Sequence, residues 1–357
     1  MLAGLLFLMM SCLMVACSDD SEDLQDEDTL QLLSYSQKYR DASNLHTRAI
    51  TDDYDSYTAA PIAANIIDVT QYQNVVIGKT TFRYSTNSGR WSSAFKILEG
   101  HNYYIYGYSP ADAATQSIIN VYGVSYSNGA QLTLKGVETV SEKALCVIVG
   151  VKQVLEESSD VPSDLIPGRF EYVGKSKNRN FAYMLLNHIC AALRFTMKVD
   201  ETYDAMRTIK LKKMELKSIP KTYDVYITMK SNSYGDNPIE NLTWSSNATD
   251  DVQFFDNTDG FALTTTAQAL KMKLNTEELD EIIVFPALSN SMTLVCTYDV
   301  YDKKGNKIRE NCTAENKLPV ALNRGERMTV NLTVNPTYLY VLSDPDLDNP
   351  TIEVSSE

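Results

Sequence analysis

From Ile66 onward, apolar and polar side chains alternate with a period of two, and turn residues recur at regular intervals. That period places alternate side chains on opposite faces, the signature of half-buried strands. Phe82-Arg83-Tyr84 runs into the turn Asn87-Ser88-Gly89, and the aromatic run Tyr103–Tyr108 stops at Ser109-Pro110. Ala144–Val151 is continuously apolar and predicts a buried strand. Ala192–Val199 presents Leu193, Phe195, Met197 and Val199 on one face. Ile209–Leu216, Val225–Met229, Ile282–Phe285 (closed by Pro286), Met292–Tyr301 and Met328–Val334 extend the pattern. The helical candidates are two short segments, Thr29–Arg40 and Asn275–Glu281.

Short strands every 8–12 residues predict an all-β chain of sandwich type, and without βαβ alternation doubly wound and barrel enzymes drop out. At 357 residues the chain exceeds what one core usually fills, which predicts two domains in tandem. The polar, basic stretch Gly174–Asn180 is the expected joint, dividing the body into 49–178 and 179–336, with a tail at 337–357. Twenty-two tyrosines strengthen the β assignment.

The ends of the chain have their own character. Met1–Ala16 is apolar and uncharged, too short to span a bilayer and suited to a signal-peptide core. Met14-Val15-Ala16-Cys17 resembles a bacterial lipobox, with Met14 in place of the usual leucine and Cys17 as the acylated residue; Cys12 is a poorer second candidate. Seven acids then fall between Asp19 and Asp28, a run that stays solvated. Acids directly behind a lipid-bearing cysteine resemble the surface-export signal of Bacteroidetes lipoproteins. The whole chain carries a net charge of −14, which argues against nucleic acid as a partner.

Catalytic and cofactor chemistry is thinly represented. Gly78-Lys79-Thr80 lacks the upstream glycine of a phosphate loop (Gln73 stands there), and no G-x-S-x-G, H-E-x-x-H or C-x-x-C occurs. The three histidines, His46, His101 and His188, are scattered. Asp344, Asp346 and Asp348 alternate like a calcium loop, but Asn349 replaces its glycine and Ser355 its closing glutamate. Glu277, Glu278, Asp280 and Glu281 read as a solvated helix face. The expectation is a non-enzyme without metal or cofactor. Cys146 and Cys190 read as buried hydrophobes. Cys296 and Cys312 flank a hairpin whose turn is Asp302–Asn306, and a three-residue loop at Lys303–Gly305 would set them face to face, the candidate disulfide.

Several stretches together resemble the fimbrillin superfamily of Bacteroidetes, the shaft and tip lipoproteins of type V pili. Trp91 followed by Tyr103–Pro110 resembles a segment of the family's N-terminal domain. Asn187–Phe195 resembles the strand leading into its second domain, Phe285-Pro286-Ala287 with Leu294–Tyr301 its late hairpin, and Tyr338–Val354 its terminal segment. The likeness spans roughly residues 60–357. It implies two transthyretin-like β-sandwiches in line and export as an outer-membrane lipoprotein to the cell surface. It further implies cleavage by an arginine-specific surface protease, loss of the first strand, and filling of the groove by another subunit's tail. Carried onto this chain, Cys17 is the lipidated residue and Arg48-Ala49 the processing site, with Arg40-Asp41 as the alternative. The strand lost lies between Thr29 and Arg48, with Leu30, Leu32, Leu33, Tyr35 and Tyr39 as its apolar residues. The candidate donor strand carries Tyr338, Tyr340, Leu342, Ile352 and Val354; the competing expectation is that the tail folds back onto its own domain. The alternative function is a monomeric surface lipoprotein that binds glycans or host ligands, with Trp91 and Trp244 as its aromatic platform.

Overall fold

The structure is a computed structural model that describes residues 29–41, 54–70, 76–121, 129–154, 166–174, 180–230, 238–275, 277–286, 292–318, 321–338 and 345–356. Almost every element in it is a strand, and the single helix is one turn, Glu201–Asp204, capped by the Asp200 carboxylate accepting from the Thr202 and Tyr203 amides.

The strands form two sandwiches. In the first, a nine-stranded sheet runs in the order Cys146–Val154, Phe181–His188, Gln31–Gln37, Arg90–Ser92, Val76–Ser85, Ile62–Asp68, Asn102–Ser109, Glu171–Val173, and Tyr54–Ser56 also pairs with Gln31–Gln37. Cys146–Val154 pairs on its other side with Asn102–Ser109, so the sheet curls until it closes on itself. A four-stranded sheet faces it, in the order Ile239–Ser246, Thr222–Met229, Ala130–Glu138, Gln116–Val121. One continuous apolar core, from Leu32 and Trp91 through Ile148 to Val225, fills the space between them.

In the second sandwich, Val140–Ser141, Ile282–Val284, Ala191–Val199, Glu326–Tyr338 and Arg40–Asp41 form a sheet with Gln268–Ala269 and Pro345–Ser356. Its facing sheet runs Thr249–Ala262, Arg207–Pro220, Thr293–Asp302, Lys307–Lys317. Leu193, Phe195, Met197 and Val199 all enter this core, as their alternation predicted.

Two sequence expectations are corrected here. Thr29–Arg40 is no helix. Gln31–Gln37 is a strand with Leu32, Ser34 and Tyr35 buried, because its neighbours' backbone groups outweigh its modest helical propensity. Asn275–Glu281 is irregular where described, with an isolated bridge from Met272 to Leu279. Each sandwich draws strands from both sides of residues 178/179. Phe181–His188, Thr222–Met229 and Ile239–Ser246 belong to the first sandwich, while Val140–Ser141 and Arg40–Asp41 belong to the second. Ala130–Glu138 would otherwise present an open edge, and Thr222–Met229 returns to cover it.

Candidate functional site

Segment 29–41 holds an interior position in the first sheet. Gln31–Gln37 is an interior strand, parallel to Phe181–His188 on one side and antiparallel to Tyr54–Ser56 and Arg90–Ser92 on the other. Three side chains are buried, Leu30 and Leu32 (0 % exposure) on one face and Tyr35 (3 %) on the other. Leu32 lies opposite Trp91, whose indole Nε1 donates to the Tyr57 carbonyl at 3.0 Å. The Tyr57 amide in turn donates to the Ser34 carbonyl at 2.8 Å. Tyr35 stacks on Tyr183 at 5.9 Å. Taking this strand out would open a slot from Leu30 to Tyr35 in an otherwise closed sheet.

The same segment then crosses into the second sandwich. The Arg40 amide donates to the Gly325 carbonyl at 2.9 Å, and Arg40 and Asp41 pair in parallel with Glu326 and Arg327. Gly325 has φ +68°, and a Cβ there would sit 3.1 Å from Gln37 Oε1, so glycine both turns the chain and clears the crossing. Tyr39 marks the junction. Its ring stacks on His188 at 4.0 Å and lies 5.5 Å from the Arg327 guanidinium, a cation–π contact. Glu281 holds Arg327 through two bonds of 2.6 and 3.1 Å and also accepts from Arg194 at 3.1 Å. Beside this junction lies a cavity of about 420 Å³, lined by Tyr39, Tyr57, Ala60, His188, Glu281 and Ile283 among others.

The chemistry of the junction is that of packing. His188 Nδ1 and Cys146 Sγ are 3.1 Å apart. Burial pushes the His188 pKa down to about 4 and the Cys146 thiol well up. Both are therefore neutral near pH 7, which is the reverse of the thiolate–imidazolium state a cysteine nucleophile needs. Among the described residues no group of three or more His, Cys, Asp or Glu side chains could hold a metal ion.

Glu281 is thus a half-buried partner of two arginines rather than part of a solvated helix face. His101 pairs with Asp68 at 2.7 Å, and that contact, with two bonds from Thr70, holds the Asp68 carboxyl below its usual range despite desolvation. Gly78-Lys79-Thr80 lies within the strand Val76–Ser85.

At the other end, Pro345–Ser356 runs antiparallel to Glu326–Tyr338, with Ile352 opposite Val334 and Val354 opposite Leu332. Ile352 is 4 % exposed and belongs to the second core, and the Tyr298 hydroxyl donates to the Pro350 carbonyl at 3.3 Å. The tail is therefore folded back along its own sheet rather than extended. Segment 40–41 and the tail share one edge of the strand Glu326–Tyr338: the former covers Glu326 and Arg327, the latter Val330 to Tyr338. Tyr338 lies opposite Pro345, while Tyr340 and Leu342 lie outside the described residues. So do Cys17, Arg48 and Ala49.

The expected facing of Cys296 and Cys312 is corrected. Near the turn the register is as expected, with Tyr301 opposite Lys307. Two irregularities then shift it, so Cys312 lies opposite Tyr298 and Cys296 opposite Ala314. Asn311 accommodates the shift at φ +52°, its amide held by the Asp299 carboxylate at 2.8 Å. Neither cysteine belongs to a disulfide. The two tryptophans also separate. Trp91 is core, while Trp244 is 45 % exposed and packs edge-on against Phe285 at 5.8 Å.

Sequence reasoning missed the Tyr39–His188 stack and the Glu281–Arg327 pair. The only available signal was an aromatic residue in a polar stretch, Gln37-Lys38-Tyr39-Arg40.

Neither a protein-family model nor a curated protein sequence matches the chain. Among solved structures, it is similar to a fimbrial protein from Bacteroides vulgatus at 12 % identity and TM-score 0.48, over 92 % of this chain and 98 % of that one. It is also similar to a protein classed with cell adhesion from Bacteroides uniformis, at 15 % identity and TM-score 0.39, over 92 % and 96 % of the two chains. The fimbrial anchor protein Mfa2 from Porphyromonas gingivalis aligns at 11 % identity and TM-score 0.26, over 91 % and 97 %. Function is read below from this chain's own strands and residues.

Proposed function

We propose that this protein is a fimbrillin-type pilus subunit, assembled at the cell surface by strand exchange and serving adhesion. The observation that carries this reading is the interior placement of segment 29–41, which is buried inside a closed sheet. An interior strand joined to the body by one polar connection is removable by a single cut. Its removal leaves two rows of backbone donors and acceptors plus an apolar slot, which a foreign strand fills with both hydrogen bonds and side-chain pockets.

In this reading the chain is exported as a lipoprotein acylated on Cys17, and an arginine-specific protease cuts between Arg48 and Ala49. The partners are other fimbrillin subunits, and the precursor is held to the outer membrane by its lipid. The donor is the tail, Tyr338–Val354, released from its own edge and handed to a second copy. Nothing in this mechanism calls for a catalytic group or cofactor.

The test is N-terminal sequencing and intact mass of protein recovered from cells, with a gel run unboiled. A mature chain beginning at Ala49, with heat-labile ladders, supports the reading. A chain beginning at acylated Cys17 that runs only as a monomer overturns it and leaves a surface lipoprotein. The exposed Trp244 would then be the first residue to test for glycan contact.

A further inference from the structure

A second cavity, of about 310 Å³, opens at the joint between the sandwiches, and among the described residues that line it none belongs to segment 29–41 or to the tail. The first sandwich supplies one wall through Asp112, Thr115 and Glu138; the bend at 141–143, with Asn275 and Ile283, supplies the other. Glu142 fixes that second wall, its Oε1 accepting from the Asn275 amide at 3.1 Å and from Asn275 Nδ2 at 2.8 Å.

Thr139 also lines the cavity and is 1 % exposed. Its backbone is fully used: the amide donates to the Lys221 carbonyl at 3.2 Å, and the carbonyl accepts from the Phe285 amide at 2.9 Å. Its Oγ1 is buried and has no hydrogen-bond partner among the described residues. A dry hydroxyl costs free energy that an isosteric valine would spare, unless something in the cavity bonds it. The charges around it narrow what that is. Asp112, Glu138 and Glu142 set three carboxylates about the cavity against the one ammonium of Lys143. Among the described residues these acids are not grouped so as to hold a metal ion, and no aromatic ring offers a stacking face. Val137, Leu145 and Ile283, all buried, add an apolar floor. Carbon below and carboxylate oxygen around it match an aliphatic stem that ends in a cation.

We propose that this cavity binds a primary ammonium group on an aliphatic stem, from a free diamine or from a lysine side chain. The stem lies on Val137, Leu145 and Ile283, and the ammonium donates to Thr139 Oγ1 and the Glu142 carboxylate, with Asp112 and Glu138 adding attraction. The site does not depend on strand exchange.

The test is calorimetric titration of the full chain at pH 7.5 with 1,5-diaminopentane, with Nα-acetyl-lysine N-methylamide, and with 1-pentanol as the uncharged control. Saturable binding of at least one amine, with none of pentanol, is expected. Binding of the diamine alone identifies a free amine as the source, and binding of the blocked lysine identifies a protein side chain. Thr139→Val is expected to weaken binding roughly three- to tenfold and Glu142→Gln roughly ten- to a hundredfold, while Thr139→Ser, which keeps the hydroxyl, binds as wild type does. Asp259→Asn, at an exposed acid of the strand Thr249–Ala262, leaves binding unchanged. Lys143→Gln removes the competing cation and is expected to tighten it. Absence of binding by both amines overturns the proposal, as does equal binding of pentanol. So does an affinity that Thr139→Val and Glu142→Gln leave unmoved, or one that Lys143→Gln abolishes.

Discussion

The two ends of the described chain both form strands, yet they are held in different ways. Gln31–Gln37 is bonded on both sides and lies inside the first sheet, with Leu30 and Leu32 fully buried. Pro345–Ser356 is bonded on one side only, to Glu326–Tyr338, and contributes Ile352 to the second core. Losing an interior strand tears a closed sheet open, whereas losing an edge strand moves the edge inward by one place. The N-terminal segment is accordingly needed for the integrity of the first sandwich, while the tail can come away at lower cost.

The largest expected effect follows directly. A chain expressed from Ala49 with no strand supplied is expected to lose cooperative thermal unfolding and to aggregate, whereas one truncated after Asp344 should still melt cooperatively. Equal damage from the two truncations in a calorimetric scan would break the comparison. At the level of single side chains, Leu32→Ala is expected to cost about 2–5 kcal/mol and Ile352→Ala about 2 kcal/mol, because an edge site relaxes more easily. Urea midpoints check both, and the reverse order would show that the tail is the better-held strand.

The junction gives a pH-dependent version of the same contrast. His188, faced by Tyr39, Cys146, Glu281 and Arg327, has its pKa lowered by burial to about 4 in the folded chain. The unfolded imidazole takes up its proton near pH 6.5 and the folded one does not. Stability is therefore fully present above about pH 6.5 and falls as pH drops toward 4, by about 3 kcal/mol at most. His188→Gln is expected to flatten the stability profile over that window in denaturant titrations at several pH values. An unchanged slope would show that the ring is protonated, or solvated, in the folded chain.

Smaller is the expected effect of Glu281→Gln, which leaves Arg327 and Arg194 sharing a neutral partner beside Tyr39. A loss of about 1–3 kcal/mol follows for charge-assisted bonds in a half-buried site. It should shrink when Tyr39 is already alanine, and strict additivity in that double-mutant cycle would uncouple the pair from the N-terminal segment. The smallest concerns the cysteines. Burial pushes the Cys296 thiol up to about 12, so it should resist thiol reagents in the folded chain at pH 8. Rapid labelling would show that the hairpin is open there.

Much of the fold was legible in local pattern because alternation is local. Leu193 to Val199 and Ile209 to Leu216 declared their inward faces without reference to any partner. The segment 29–41 was harder, since Leu32, Leu33, Tyr35 and Tyr39 fit a helical spacing as readily as a strand, and its buried Ser34 argued for neither. The hairpin at Cys296 and Cys312 shows another limit. Its turn fixed the register only as far as Tyr301; two shifts follow, and at the second the Asp299 carboxylate accepts from the Asn311 amide.

By itself the sequence determined that the chain is all-β, acidic and poor in catalytic motifs. These are matters of composition and period, which neighbouring residues settle among themselves. Only the tertiary structure decided that residues 31–37 lie inside the first sheet and 40–41 on the second. It alone returned Thr222–Met229 and Ile239–Ser246 to the first sandwich and seated Tyr39 between His188 and Arg327. Those outcomes turn on which strand edges were left unpaired once the rest had folded, and edge pairing joins residues far apart in the chain.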